Sequence, residues 1–384
     1  MTYLQVCRWT VALVLATSSL AWADGTNRNP RLLNLAPNQW TKIHEQKTAD
    51  QVRFMRQAHG GSCFDTKRGR LMLFGSNTHG KDWTNSPLIF DPVACQWTRL
   101  YSDDSWETYG VNAKGLAVAG KNGDHPWAMH TFGAVEYDPR RDEMVVCSYP
   151  GHMEPGRFTN VLKEVWGKVK RHPTWTFRLE TQTWVPLDCE PMYFFPYATA
   201  FDTDRNVVLG YSPGGVYELS GEPRTWKQLA KGGMFGWHNN AAYDSRHKAL
   251  INFGSNQNSN DIVVYLVGTK EHKKMPTPGV RPPADQHNPM AFDLQIEQTV
   301  VLVDRAPEKD NRGRATKGQT ETWLYDLGKD TWTQLATARL PFLCGMNYNM
   351  EYDPGHKVLL LVTGDIDIPT AVWALKIDLK QAVR

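Results

Sequence analysis

Histidine exchanges protons near neutral pH more readily than any other side chain, so the placement of the twelve histidines in this sequence is where chemistry is sought first. Four of them recur at one register. His59 lies six residues before Asp65, His238 six before Asp244, His287 six before Asp293, and His130 eight before Asp138. Asn347 stands six before Asp353, and Pro196 with Tyr197 beside it holds the place ahead of Asp202. Even offsets keep side chains on one face of a strand, because strand side chains alternate with period two. If the segments are equivalent members of a repeat, these histidines surround one point. Imidazoles gathered there can ligate a metal or exchange protons; alternatively, each bonds a neighbouring backbone and only plugs a gap.

The elements that must position them are repeated. Six times an aromatic residue precedes an aspartate, at Phe64-Asp65, Tyr137-Asp138, Phe201-Asp202, Tyr243-Asp244, Phe292-Asp293 and Tyr352-Asp353. A polar turn and a short run rich in β-branched residues follow each pair, as in Leu71 to Phe74, Val207 to Leu209 and Val358 to Val362, so each unit opens with a hairpin. A Trp followed by an aliphatic residue closes most units, at Trp97, Trp184, Trp226 and Trp332. The fourth unit lacks that Trp and runs into a Lys- and Pro-rich stretch from Lys270 to Pro283, read as a degenerate outer strand and a loop. Four antiparallel strands per unit cannot bury both faces of a sheet alone and must stack around an axis, which is the pattern of a propeller blade. The sixth unit ends without a Trp strand, while the N-terminal region carries an orphan one from Gln39 to Ile43. Pairing the two closes the ring and removes its open edges.

The aromatic-Asp turn, the Phe-Gly steps at Phe74-Gly75 and Phe253-Gly254, Asn85 or Asn260 before a strand, and the closing Trp together resemble kelch repeats, over nearly all of the chain. The family's double glycine is replaced by Gly75-Ser76 and Gly254-Ser255. The resemblance implies an all-β, six-bladed kelch-type propeller similar to the galactose-oxidase central domain. It implies no single activity, since propellers host lyases, epimerases, oxidases and binding modules.

Residues 1–23 read as a secretory signal peptide: Arg8 supplies the charge, Trp9 to Leu20 the apolar run, and Ala21-Trp22-Ala23 the cleavage site. The expectation is therefore export to a periplasm or to the extracellular space, with residues 24–384 forming one domain and no membrane span after cleavage. The formal charge of +3 and the absence of a Lys/Arg block give no nucleic-acid footprint. Five cysteines follow the signal, an odd number without C-x-x-C spacing, and no particular bridge is expected. Monomer is the default for a self-sufficient ring.

The connection from Tyr101 to Met129 is long and carries Trp106, Tyr109, His125 and Trp127; it is expected to overhang the mouth as an inserted loop or lid. The links between second and third strands should open on the same face, and they hold Trp83, His152, Arg157, Asn256 to Asp261, Asp304 to Arg314, Asp365 and Asp367. Aromatic rings beside His, Arg and Asp suit sugar recognition. Two function classes fit. One is a lyase or epimerase acting on an acidic saccharide, with His130, His59 or His238 as base, Tyr197 as acid or base, and Arg157 or Arg56 neutralising the carboxylate; Trp83, Trp127, Trp237, His287 and Asn347 would contact the substrate. The roles of His, Tyr and Arg in that reading follow the resemblance to propeller-fold polysaccharide lyases. The other class is a non-catalytic propeller gripping a glycan or protein partner at the same mouth. His59, His238 and His287 are the set that would hold a divalent metal ion if one is used. There is no Ser-His-Asp or P-loop signature.

Overall fold

The computed structural model describes residues 28–46, 59–78, 82–157, 159–191, 198–212, 214–232, 236–257, 259–309, 315–365 and 368–381. Six four-stranded antiparallel sheets stand around an axis, giving a six-bladed β-propeller. The innermost strands of blades one to six are Gly61–Asp65, Val135–Asp138, Thr199–Asp202, Asn240–Asp244, Met290–Asp293 and Met350–Asp353. Each touches the next, and the sixth touches the first.

The six aspartates explain the hairpins. In each blade the carboxylate accepts backbone N–H groups two or three residues ahead: Asp65 from Lys67 and Arg68, Asp138 from Arg140 and Arg141, Asp202 from Asp204 and Arg205, Asp244 from His247, Asp293 from Gln295 and Ile296, and Asp353 from Gly355 and His356. The residue four after the aspartate has positive φ in every case: Gly69, Asp142, Asn206, Lys248, Glu297 and Lys357. Only the first is glycine, so the aspartate's turn bonds hold a left-handed position that other residues adopt at some cost. The aspartates are buried and structural.

The core lies between blades. Middle strands such as Arg70–Phe74, Glu143–Val146 and Ala249–Phe253 are buried along their whole length, as sheets covered on both faces require. The outer tryptophans seal the seams: Trp184 packs on Phe74 of the preceding blade at 4.8 Å between ring centroids, and Trp332 on Phe253 at 5.2 Å. In blade four the outer strand Glu271–Lys274 forms without a Trp. The fourth strand of blade six is Thr41–Glu45, paired antiparallel with Ile368–Leu375.

Two expected loops are built differently. Asp304 lies within a long ribbon, Gln298–Lys309 paired with Ala315–Asp326. The 101–129 connection is not a bare loop. It contains a one-turn helix at Trp106–Thr108 and a hairpin of Gly110–Val111 with Ala117–Val118, and it packs a small core of its own with Trp127, Met153 and Leu162. Among the described residues no helix is long and apolar enough to cross a membrane.

Candidate functional site

The four histidines of the repeat register meet at one end of the channel. Their segments are clamped in pairs by backbone bonds: Thr131 and Phe132 both donate N–H to the His59 carbonyl, at 3.0 and 3.2 Å, and His287 donates to the His238 carbonyl at 3.1 Å. The Ser148 hydroxyl holds the His130 carbonyl at 2.7 Å. Phe132, His238 and His287 all have positive φ, a conformation costly for non-glycine residues and kept where the surroundings enforce it. These clamps bring the rings into contact. His59 and His130 have centroids 4.3 Å apart, and His238 and His287 likewise 4.3 Å. Phe132 bridges the two pairs, 5.4 Å from His59 and from His130 and 6.1 Å from His238.

A fifth histidine joins them. His152, on the short helical turn Gly151–Met153 after the second strand of blade two, stacks on His130 at 3.9 Å and 28°. Tyr348 closes the other side, edge-on to Phe132 at 5.2 Å and to His287 at 5.9 Å. His59, His130 and His152 are buried, whereas His238 and His287 are half-buried at the rim. Burial lowers the His238 pKa to about 4, and burial together with the neighbouring His238 and His59 lowers that of His287 to about 2. Both are therefore neutral at pH 7. The Nε2 of His287 is buried and has no hydrogen-bond partner among the described residues. Three histidines elsewhere are paired to carboxylates: His125 with Asp104, His247 with Asp244, and His356 with Asp353.

Beside His287 sits a carboxyl pair. Burial and the neighbouring Asp304 push Asp285 up to about 7, and burial raises Asp304. Asp285 accepts from the backbone of Gln286 and Asp304 and from the Asn288 amide, while Asp304 accepts from Thr320, Cys344 and Gly345. These bonds tie blade five to the loop that carries Tyr348.

Other expected residues fall elsewhere. Asn347 spends its amide on the Val362 carbonyl at 2.7 Å and its carbonyl on the Asn349 N–H, bracing blade six. Trp127 is buried, with its indole N–H on the Val118 carbonyl, at the centre of the insert's core; the expected exposed ring is not exposed, because the insert folds around it. Trp83 is half-buried against Tyr109. Trp237, beside His238, exchanges bonds with Asn256. Arg157 is exposed and reaches the Gly151 carbonyl at 3.3 Å, next to His152. Tyr197 and Arg56 lie outside the described residues, as does Asp367. Among the described residues no group of three or more His, Cys, Asp or Glu is arranged to hold a metal ion.

Sequence reasoning placed His152 at the mouth but not with the other imidazoles, because it sits in a loop without register, and it missed Tyr348, whose place in the ring depends on chain direction after a bend. It also missed two channel glutamates, Glu136 and Glu351. Their signal was present: Glu-Tyr-Asp occurs in the innermost strands of blades two and six, at the same register.

No family model matches the chain, and no curated protein sequence matches it.

Proposed function

We propose that this chain is an exported kelch-type propeller that binds an acidic saccharide at its histidine mouth and removes the proton α to the sugar carboxylate, in lyase or epimerase fashion. One observation carries the reading: two half-buried imidazoles, His238 and His287, face each other at the rim above a buried stack of three more. Histidines that only plug a gap need to be satisfied singly, whereas acid–base work needs them to converge. Both rim imidazoles are neutral at pH 7, which is the form a base requires. Their low pKa values arise from burial, so a carboxylate delivered by the substrate would offset that cost and raise their basicity where it is needed. Arg157, on the loop of His152, would neutralise the substrate carboxylate, and Trp83 and Trp237 would offer ring faces to the sugar.

The test is a panel of uronate-containing polysaccharides followed by the absorbance of unsaturated uronates and by NMR for epimerised products, with wild type compared against His238→Ala and His287→Ala. Product formation lost at least 100-fold in both variants supports the reading. Saccharide binding without turnover would replace the enzyme by a binding module, and neither binding nor turnover across the panel would overturn both.

A further inference from the structure

The channel holds a second constellation at the end opposite the histidines. A cavity of about 230 Å³ is rimmed by one turn residue from each blade: Thr66, Pro139, Thr203, Ser245, Leu294 and Pro354. Each of these follows a hairpin aspartate, so the cavity opens on the face of the six turns. Leu294 is half exposed there. Tyr348 forms part of its lining at the inner end. Its walls contain Glu136 from blade two and Glu351 from blade six, and no Lys, Arg or His.

We infer that this cavity is a binding site for a small organic cation, an alkylammonium group held between Glu136 and Glu351. Each carboxyl is enclosed deep in the ring yet keeps surface toward the cavity. Each also meets a hydroxyl from the neighbouring blade, Ser62 to Glu351 at 2.7 Å and Thr199 to Glu136 at 2.7 Å. Thr199 makes a second bond, to the Gly133 carbonyl at 2.9 Å. A hydroxyl has one proton, so when Thr199 donates to Gly133, Glu136 must be protonated and donate to Thr199. In that arrangement the Glu136 carboxyl is uncharged.

A third polar group belongs to the same cavity. The Tyr348 hydroxyl is buried, with the residue 2% exposed, and has no hydrogen-bond partner among the described residues. Buried polar atoms left unpaired cost free energy, and two carboxyls in a passage that leucines could fill more cheaply cost more. A cation would supply the missing charge: its N–H or polarised C–H groups approach the carboxylates while its alkyl part meets the channel's alanines and aromatic residues. The aromatic of each innermost strand, from Phe64 round to Tyr352, lines the cavity below the carboxyls. Two carboxylates alone are too few for a metal site, in keeping with the absence of any three-ligand group among the described residues.

The pH dependence follows from the groups that face the pair. Glu351 is pushed up to about 7 by burial, with Ser62 pulling the other way. Glu136 is raised well above the usual range by burial and by Glu351. The remaining titratable groups around the cavity are Cys63 and Cys147 and the lining residues Tyr137, Tyr243, Tyr348 and Tyr352, all raised by burial and so uncharged at neutral pH. Cation binding must expel protons from the carboxyls, so it strengthens as pH rises.

The experiment is calorimetric titration of the full protein with butylammonium chloride at pH 5.5, 6.5 and 8, in buffers of different ionisation heat, with 1-pentanol as the uncharged probe. Affinity should rise about 30-fold from pH 5.5 to 8, following ionisation of a group that titrates near 7, with proton release seen in the buffer dependence. Glu351→Gln and Glu136→Gln should each weaken binding at pH 8 by about tenfold or more. Pentanol should not compete. Equal affinity for the alcohol, a pH-independent affinity, or full affinity in both glutamine variants would overturn the site; the proton release of the wild-type protein decides the matter even if a variant does not fold.

Discussion

Replacing Glu351 by glutamine should stabilise this protein, and by an amount that depends on pH. Glutamine keeps the oxygen that accepts the Ser62 hydroxyl and nearly the same volume, so packing and hydrogen bonding survive. What disappears is the cost of ionising a buried carboxyl. Its folded pKa of about 7 lies above the ordinary 4.5, so its contribution is fully present below pH 4.5 and is lost as pH rises through 7. A shift of that size corresponds to about 3 kcal/mol by pH 8. Ionised Glu351 also repels Glu136, and the variant relieves that in the same direction. Urea unfolding followed by tryptophan fluorescence, in buffers free of ammonium compounds, would give the stability difference at pH 4.5, 6 and 8. The variant should match wild type at the lowest pH and exceed it by about 3 kcal/mol at the highest. A difference that stays flat with pH, or a loss at pH 8, would refute the placement of this carboxyl in an uncompensated environment.

Two further outcomes follow from the fold. Asp353 accepts from Gly355, His356 and the His356 ring, so Asp353→Ala should cost about 2–4 kcal/mol in thermal or urea unfolding, while Asp353→Asn, which keeps the turn acceptor, should cost clearly less. Removing residues through Glu45 strips the partner from Ile368–Leu375 and leaves a raw edge, so light scattering should show concentration-dependent association that the full chain lacks.

The architecture was legible because its signals are local and periodic. An aspartate that must cap a turn, followed by a left-handed residue, leaves the same mark six times, and alternation around it fixes which side chains share a face. The histidine register was legible for the same reason, since even offsets from a turn of fixed geometry carry His59, His238 and His287 to equivalent heights. What escaped depends on packing that no offset encodes. His152 arrives through a loop, and its stacking on His130 is a tertiary contact. Trp127 reads the same whether a loop exposes it or folds around it, and only the joint core with Met153 and Leu162 decides. Glu136 and Glu351 lie past the strand beginnings to which the histidine register points, although a carboxyl amid Val, Met and Tyr in a strand that must be buried is itself a sign of cost and so of use.

The seam in blade six also sets an order in time. Thr41 pairs with Ala374, and Glu45 with Ala371. These partners are separated by nearly the whole chain, so their pairing carries the greatest loop-closure entropy of any strand pairing in the ring and cannot form before the last blade exists. Five blades can assemble from neighbours in sequence, each hairpin adding to the last, while the sixth waits with an unpaired strand. The slowest folding phase should therefore be the joining of the two ends, and the interval before it is when another copy of the chain can take the vacant place.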